Sequence, residues 1–259
     1  MNRTDRPIAV LDSGIGGISV LKELIRLIPN EKFIYFGDFE NSPYGTKTME
    51  QVRDITVKNT KMLMEMGAKG LVVACNTATG AAVRVLREMY PDFPLVGIEP
   101  AVKPAMHDKK HPTVLIMATP LTLKQEKFEA LMKRVATDDA TVIRLPCAGL
   151  MELIDQGHTD DAEIDSYLEK LFSGVMIENI DAVVLGCTHY PHAKDAIVKA
   201  LGGNVTVYDG GFGTAKETKR RIEAAGLAAP QNAKGNVTFI NGEKYPEKIQ
   251  LAKRFLYDV

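Results

Sequence analysis

Short runs of β-branched and apolar residues alternate with stretches of helical spacing from one end of the chain to the other. Nine runs have strand length: Ile8–Asp12, Phe33–Asp38, Leu71–Cys75, Leu95–Ile98, Val114–Thr119, Val142–Cys147, Ala182–Cys187, Val205–Asp209 and Val237–Ile240. Between them, Leu21, Leu24, Ile25 and Ile28 recur at helical spacing, as do Ile164, Tyr167, Leu168 and Leu171. Thr122 with Gln125, and Thr214 with Glu217, read as helix starts of the S/T-x-x-E/Q kind. Continuously apolar strands alternating with helices predict an α/β protein with doubly wound parallel sheets.

A long-period repeat sharpens this picture. Comparable strand endings recur at Asp12 and Thr119 (107 residues apart), Asp38 and Cys147 (109), Glu99 and Asp209 (110), and Cys75 and Cys187 (112). Any doubly wound chain alternates strands and helices, but core packing does not require matched polar endings. Four endings at nearly one offset therefore predict two pseudo-symmetric α/β halves. Two prolines in Gly97-Ile98-Glu99-Pro100 through Pro104 mark a hinge. The predicted domains are residues 1–98 plus 206–259, carrying Asp12 and Cys75, and residues 99–205, carrying Cys187. The last stretch, with a short helix ending near Tyr257, reads as an appended tail.

Composition removes several function classes. The chain has 259 residues, 45% hydrophobic and 25% charged, enough for two domains of about 130 residues each. A net charge of −1 favours neither a nucleic-acid partner nor an anionic membrane surface. No apolar stretch approaches the roughly 20 residues needed to span a bilayer. The start of the chain lacks a hydrophobic signal region, so a cytoplasmic location is expected. Three cysteines without close spacing argue against a disulfide framework or a thiolate metal site, and His158 and His192 add no ligand spacing. No metal is expected.

The chemistry concentrates at strand ends. Leu71 to Thr77 reads Leu-Val-Val-Ala-Cys-Asn-Thr, and Val183 to His189 reads Val-Val-Leu-Gly-Cys-Thr-His. Each run delivers a thiol to the loop between a buried strand and a helix, where open α/β sheets bind ligands. A thiol at a helix N-terminus lies at the positive end of the macrodipole, which favours thiolate. One thiol would serve as a nucleophile. Two comparable thiols suit removal of a proton from one face of a carbon and delivery to the other, without a cofactor. The plainer reading of a free cysteine is burial, and Cys147, which shares neither flanking pattern, is left structural.

Other segments surround these. Asp12-Ser13-Gly14-Ile15-Gly16-Gly17 is a polar pair followed by a glycine-rich turn into a helix. Backbone N–H groups converging there favour an anion, whereas Asp12 suits an ammonium group; the plainer reading is a helix N-cap. The loop Asn41-Ser42-Pro43-Tyr44-Gly45-Thr46 follows the second strand and reads by itself as an ordinary turn. His189, two residues after Cys187, suits either polarising that thiol or holding a carboxylate. Glu152 is polar within an apolar helical stretch, which a solvated helix face explains as well.

Together these segments resemble the glutamate racemase family, and the resemblance spans nearly the whole chain. It is carried by Leu11 to Gly17, Gly37-Asp38 with Pro43-Tyr44-Gly45, Ala74-Cys75-Asn76-Thr77-Ala78-Thr79, and Leu185-Gly186-Cys187-Thr188-His189-Tyr190-Pro191. The resemblance implies cofactor-independent interconversion of L- and D-glutamate, supplying D-glutamate for peptidoglycan, with the active site in a cleft between two domains. It implies that Cys75 acts on the α-proton of D-glutamate and Cys187 on that of L-glutamate, assisted by Asp12, His189 and Glu152. Substrate contacts would come from Asp12, Ser13, Tyr44, Gly45, Asn76, Thr77, Thr119, Thr188 and His189. The resemblance also points to a homodimer, with no interface assigned. Three rivals stand beside it: a racemase for aspartate or another small acid, a two-lobed amino-acid-binding protein that closes without reacting, and a single-cysteine hydrolase.

Overall fold

The computed structural model describes residues 2–135, 139–241 and 243–257. Its strands are β1 (Ile8–Asp12), β2 (Lys32–Gly37), β3 (Gly70–Val73), β4 (Leu95–Gly97), β5 (Thr113–Ala118), β6 (Thr141–Pro146), β7 (Ala182–Leu185), β8 (Thr206–Asp209) and β9 (Asn236–Phe239). The helices are α1 (Ile18–Leu27), α2 (Met49–Glu65), α3 (Asn76–Met89), α4 (Val102–Met106), α5 (Pro120–Lys124) and α6 (Glu126–Val135). They continue as α7 (Leu150–Asp155), α8 (Ala162–Phe172), α9 (Lys194–Ala200), α10 (Gly211–Ala224) and α11 (Pro246–Tyr257). No described helix is long and apolar enough to cross a membrane.

The chain divides into two compact units, Met1–Glu99 with Gly211–Val259, and Pro100–Gly210. The first holds a parallel sheet in the order β4-β3-β1-β2-β9, the second a parallel sheet in the order β6-β5-β7-β8. Matching β1 to β5, β2 to β6, β3 to β7 and β4 to β8 gives both sheets the same order. β9 is an extra edge strand in the first. The pseudo-symmetric α/β class read from the sequence is the observed one. The second domain boundary is not where the sequence put it: β8 pairs with β7 and so lies in the second unit, and the return to the first unit comes at Gly211.

Strand register refines the repeat. Leu11 pairs with Val73, and Met117 with Leu185. The next residue on β3 and β7 donates its backbone N–H in the same way, Ala74 to Leu11 O at 2.8 Å and Gly186 to Met117 O at 2.7 Å. Cys75 and Cys187 are therefore structural equivalents, each two residues beyond its strand. Thr119 corresponds to Ser13 rather than Asp12, and Asp209, paired with Leu185 as Gly97 is with Val73, corresponds to Gly97 rather than Glu99.

Each unit has its own apolar core. Val10, Ile18, Leu21, Leu24, Tyr35 and Val72 pack with Ala215, Ile222 and Leu256 in the first. Val102, Met106, Val114, Ile116, Phe128 and Val184 pack together in the second. At the N-terminal ends of β2 and β3 a charge pair is buried beside the first core: Lys69 Nζ lies 2.5 Å from Glu31 Oε2, with side chains 1% and 4% exposed. Lys69 also donates to Thr4 O at 2.6 Å, and Glu31 Oε1 accepts from Ala229 N at 2.8 Å.

The helix starts read from Thr122 and Thr214 are displaced. α5 begins two residues before Thr122, with Thr119 as its cap, accepting from Thr122 N at 3.2 Å. Thr214 sits inside the first turn of α10. A reciprocal capping box exists instead at Thr48 and Gln51, at the start of α2.

Candidate active site

In the first unit the parallel register brings Asp12, Ser13, Tyr44, Gly45, Cys75, Asn76 and Thr77 to the C-terminal end of the sheet. Asp12 is fully buried, and its Oδ1 accepts from Gly14 N at 3.0 Å. It is not a helix cap; Gly17 holds that position at the start of α1. A Cβ on Gly17 would lie 2.6 Å from Asp12 Cβ, so glycine is what lets the helix start close down on this carboxylate. Tyr35 fastens the turn by donating to Gly14 O at 2.7 Å.

Cys75 is the N-cap of α3, and its Sγ lies 3.6 Å from Ser13 Oγ. A long helix beginning at Cys75 directs its first-turn N–H groups and positive dipole end at this thiol and at any anion beside it. Asn76 and Thr77, in the first turn, are buried. The Asn76 Oδ1 atom is buried without a hydrogen-bond partner, a state that normally calls for a donor from a ligand or water. Tyr44 is buried, and its hydroxyl donates to Asp38 Oδ2 at 2.6 Å. Burial pushes the Tyr44 phenol far above its ordinary pKa, the Asp38 carboxylate adds to the rise, and the nearby Cys75 and Asp12 act in the same direction. The hydroxyl therefore stays protonated and committed to Asp38, which leaves the backbone of Tyr44 and Gly45 as the groups for a ligand.

The second unit carries a different support around its equivalent thiol. After Cys187 comes a 3₁₀ turn, Tyr190–Ala193, and α9 starts only at Lys194. The expected helix N-terminus at Cys187 is thus absent, because Pro191 tightens the segment before regular α-helix begins. In its place His189 Nδ1 lies 3.8 Å from Cys187 Sγ, and His189 Nε2 lies 3.3 Å from Asp155 Oδ1. Burial lowers the His189 pKa, but hydrogen bonds to Asp155 and Cys187, with their charges, outweigh it and raise the value to about 10. The imidazole is held as imidazolium beside the thiol. Thr188 is buried next to it, and Thr119 caps α5 with its hydroxyl 2.9 Å from Thr122 Oγ1.

Two of the residues weighed in the sequence, Glu152 and Cys147, take their places here. The carboxylate hydrogen-bonded to His189 belongs to Asp155, at the end of α7, whereas Glu152 stands in that helix's first turn. Asp155 was missed because one helical turn separates the two acids, and nothing in the pattern says which one meets a residue 34 positions away. Cys147 is buried with its Sγ 3.3 Å from Leu145 O; burial first, then the nearby Cys187, pushes its thiol well up. That keeps it protonated, in line with a structural role.

A pH dependence follows from His189. The folded value of about 10 lies above the ordinary histidine value of 6.5, so its contribution to stability is complete below about pH 6.5 and is lost as pH rises through about 10. Removing the charged acceptor with Asp155→Asn is expected to lower stability by about 2 kcal/mol at pH 6 and by much less at pH 10.5. Urea unfolding of both proteins at the two pH values measures the gap, and a gap that stays constant contradicts the ion pair.

Each unit thus carries one thiol at an equivalent place beyond its sheet. The family model described as Asp/Glu/Hydantoin racemase matches residues 16–218. A glutamate racemase of Clostridium botulinum strain Alaska E43 is 43% identical over 256 residues, covering 99% of both chains. The chain belongs to the glutamate racemase family. Solved structures of glutamate racemases carry the same fold. One from Bacillus anthracis superposes with a TM-score of 0.84 at 30% identity, covering 98% of this chain and 95% of that one. Another, from Francisella tularensis in complex with D-glutamate, gives 0.81 at 27% identity, covering 98% and 94%.

Proposed function

We propose that this glutamate racemase family member interconverts L- and D-glutamate in the cytoplasm without a cofactor, using Cys75 and Cys187 as the two acid–base groups, and supplies D-glutamate for peptidoglycan. The observation that carries the reading is the equivalence of the two thiols: each stands two residues past its strand, one in each unit. In one direction the Cys75 thiolate takes the α-proton of D-glutamate, forming S–H as the C–H bond breaks and its electron pair spreads into the carboxylate. The Cys187 thiol then delivers its proton to the opposite face, leaving Cys187 as thiolate and the product as L-glutamate. The reverse direction exchanges the roles.

Each neighbour has a task in this scheme. The Ser13 hydroxyl donates to the Cys75 thiolate, and Asp12 faces the ammonium group. Asn76 Oδ1 supplies a buried acceptor for a substrate donor, and backbone N–H groups of Gly45, Thr77 and Thr188 suit carboxylates. His189, held by Asp155, supports the Cys187 sulfur; Asp155 joins Glu152 as an acidic assistant. The bound D-glutamate of the Francisella tularensis relative supports the substrate class.

Incubating L-glutamate with the protein in D₂O, without pyridoxal phosphate, tests the proposal. Optical rotation should decay towards zero while deuterium enters the α-position of both enantiomers, with aspartate far slower in parallel. Absence of exchange with glutamate contradicts it, and preferential exchange with aspartate transfers the reading to that substrate.

A further inference from the structure

Among the described residues, the buried face of α2 carries polar side chains that a packing helix does not need: Thr56, Asn59 and Thr60 lie between Val52 and Leu63. Thr56 and Thr60 return their hydroxyls to carbonyls one turn back, Val52 O at 2.7 Å and Thr56 O at 2.8 Å. Asn59 does not. Its Nδ2 donates to Asp38 Oδ2 at 2.9 Å and lies 3.5 Å from the Tyr44 hydroxyl. Asp38 is itself 2% exposed, and its carboxylate accepts further bonds from the Tyr44 hydroxyl at 2.6 Å and from Asn41 Nδ2 at 2.9 and 3.0 Å.

The backbone of Asp38 is equally occupied. Its N–H donates to Asp12 O at 2.9 Å, while its carbonyl accepts from Asn41 N at 3.2 Å and Ser42 N at 3.1 Å. One residue thus joins the end of β1, the 41–44 segment and α2. A buried carboxylate is expensive unless its lone pairs are filled, and an apolar contact would close the same loop at less cost. What a filled carboxylate adds is direction: to donate to it the Tyr44 hydroxyl must point at Asp38, which ties down the backbone of Tyr44 and Gly45.

We propose that Asp38, clamped by Asn59, is a positioning residue that fixes the Tyr44–Gly45 segment for substrate at the Cys75 end of the first unit. The inference rests on the substrate role given to that segment above. It assigns Asp38 and Asn59 no contact with the reacting atoms. Loosening the clamp weakens binding of both glutamate enantiomers while the thiols, held by β3, α3 and the second unit, keep their chemistry.

The test compares wild type with Asn59→Ala and with Tyr44→Phe, which keeps the ring and removes only the donated bond. Steady-state kinetics in both directions should show KM raised about tenfold with kcat within about threefold, the size expected for losing one buried bond to a charged acceptor. Hydrogen exchange read by mass spectrometry should show faster exchange for peptides covering 39–46, with β1 and β3 peptides unchanged. Wild-type exchange at 39–46, or faster exchange there with KM unmoved, overturns the inference. If wild-type protein fails to turn over glutamate, the racemase reading falls, while the exchange measurement still judges the clamp.

Discussion

Replacing Cys75 by alanine is expected to lower racemisation of glutamate in both directions by about 10²–10⁴-fold, and Cys187→Ala by a similar factor. Net inversion needs a group on each side of the α-carbon, so neither thiol substitutes for the other. The two variants should nevertheless differ in isotope exchange. With Cys187 gone, Cys75 still takes the α-proton of D-glutamate and returns a solvent deuteron to the same face. That variant should wash deuterium into D-glutamate without forming L-glutamate, and Cys75→Ala should do the converse with L-glutamate. Proton NMR of each enantiomer in D₂O, beside chiral chromatography, reads both quantities. Racemisation within threefold of wild type in either variant contradicts the two-thiol scheme. A Cys147→Ala variant should retain turnover, because that thiol is buried and held protonated.

The second large effect lies at the opposite end of the first sheet. Lys69→Met is expected to destabilise the protein by about 3–5 kcal/mol, because it leaves the Glu31 carboxylate buried without its cation. The donation to Thr4 O disappears with it. The double variant Lys69→Met with Glu31→Leu should recover most of the loss, since an apolar pair of similar size avoids burying a lone charge. Urea unfolding followed by circular dichroism gives the three free energies. A loss below about 1 kcal/mol in the single variant contradicts the buried-pair account. Turnover per folded molecule should stay at the wild-type level in both, because Lys69 precedes β3 while Cys75 follows it.

Much of the molecule was legible in its hydrophobic pattern. All nine strands were readable, the buried ones because parallel strands covered on both faces are apolar without interruption, as β1 and β3 are. The boundary after residue 205 failed because β8 is a half-exposed edge strand, and composition does not say which sheet it joins. Thr-x-x-Gln occurs both at Thr48, where it caps a helix, and at Thr122, where Thr119 and Pro120 had already started one. The two thiols and their flanks were plain because identical chemistry stood at equivalent strand ends. Asp155 and Asn59 were not, because each acts across the fold from a helix, and spacing along a helix reports its own faces rather than the partners they meet.

The return of the chain to the first sheet bears on synthesis. β9 pairs with β2, and α10 packs on α1, yet both are made only after the entire second unit. Between Gly97 and Asn236 a ribosome working at about 5–20 residues per second spends roughly 7–28 s. During that interval the edge of β2 has no neighbour and one face of α1 is bare, while the second unit, contiguous from Pro100 to Gly210, has all of its own strands to hand. The order of completion on the ribosome is therefore the reverse of the order of sequence: the inserted unit closes first, and the unit that began the chain is the last to be finished.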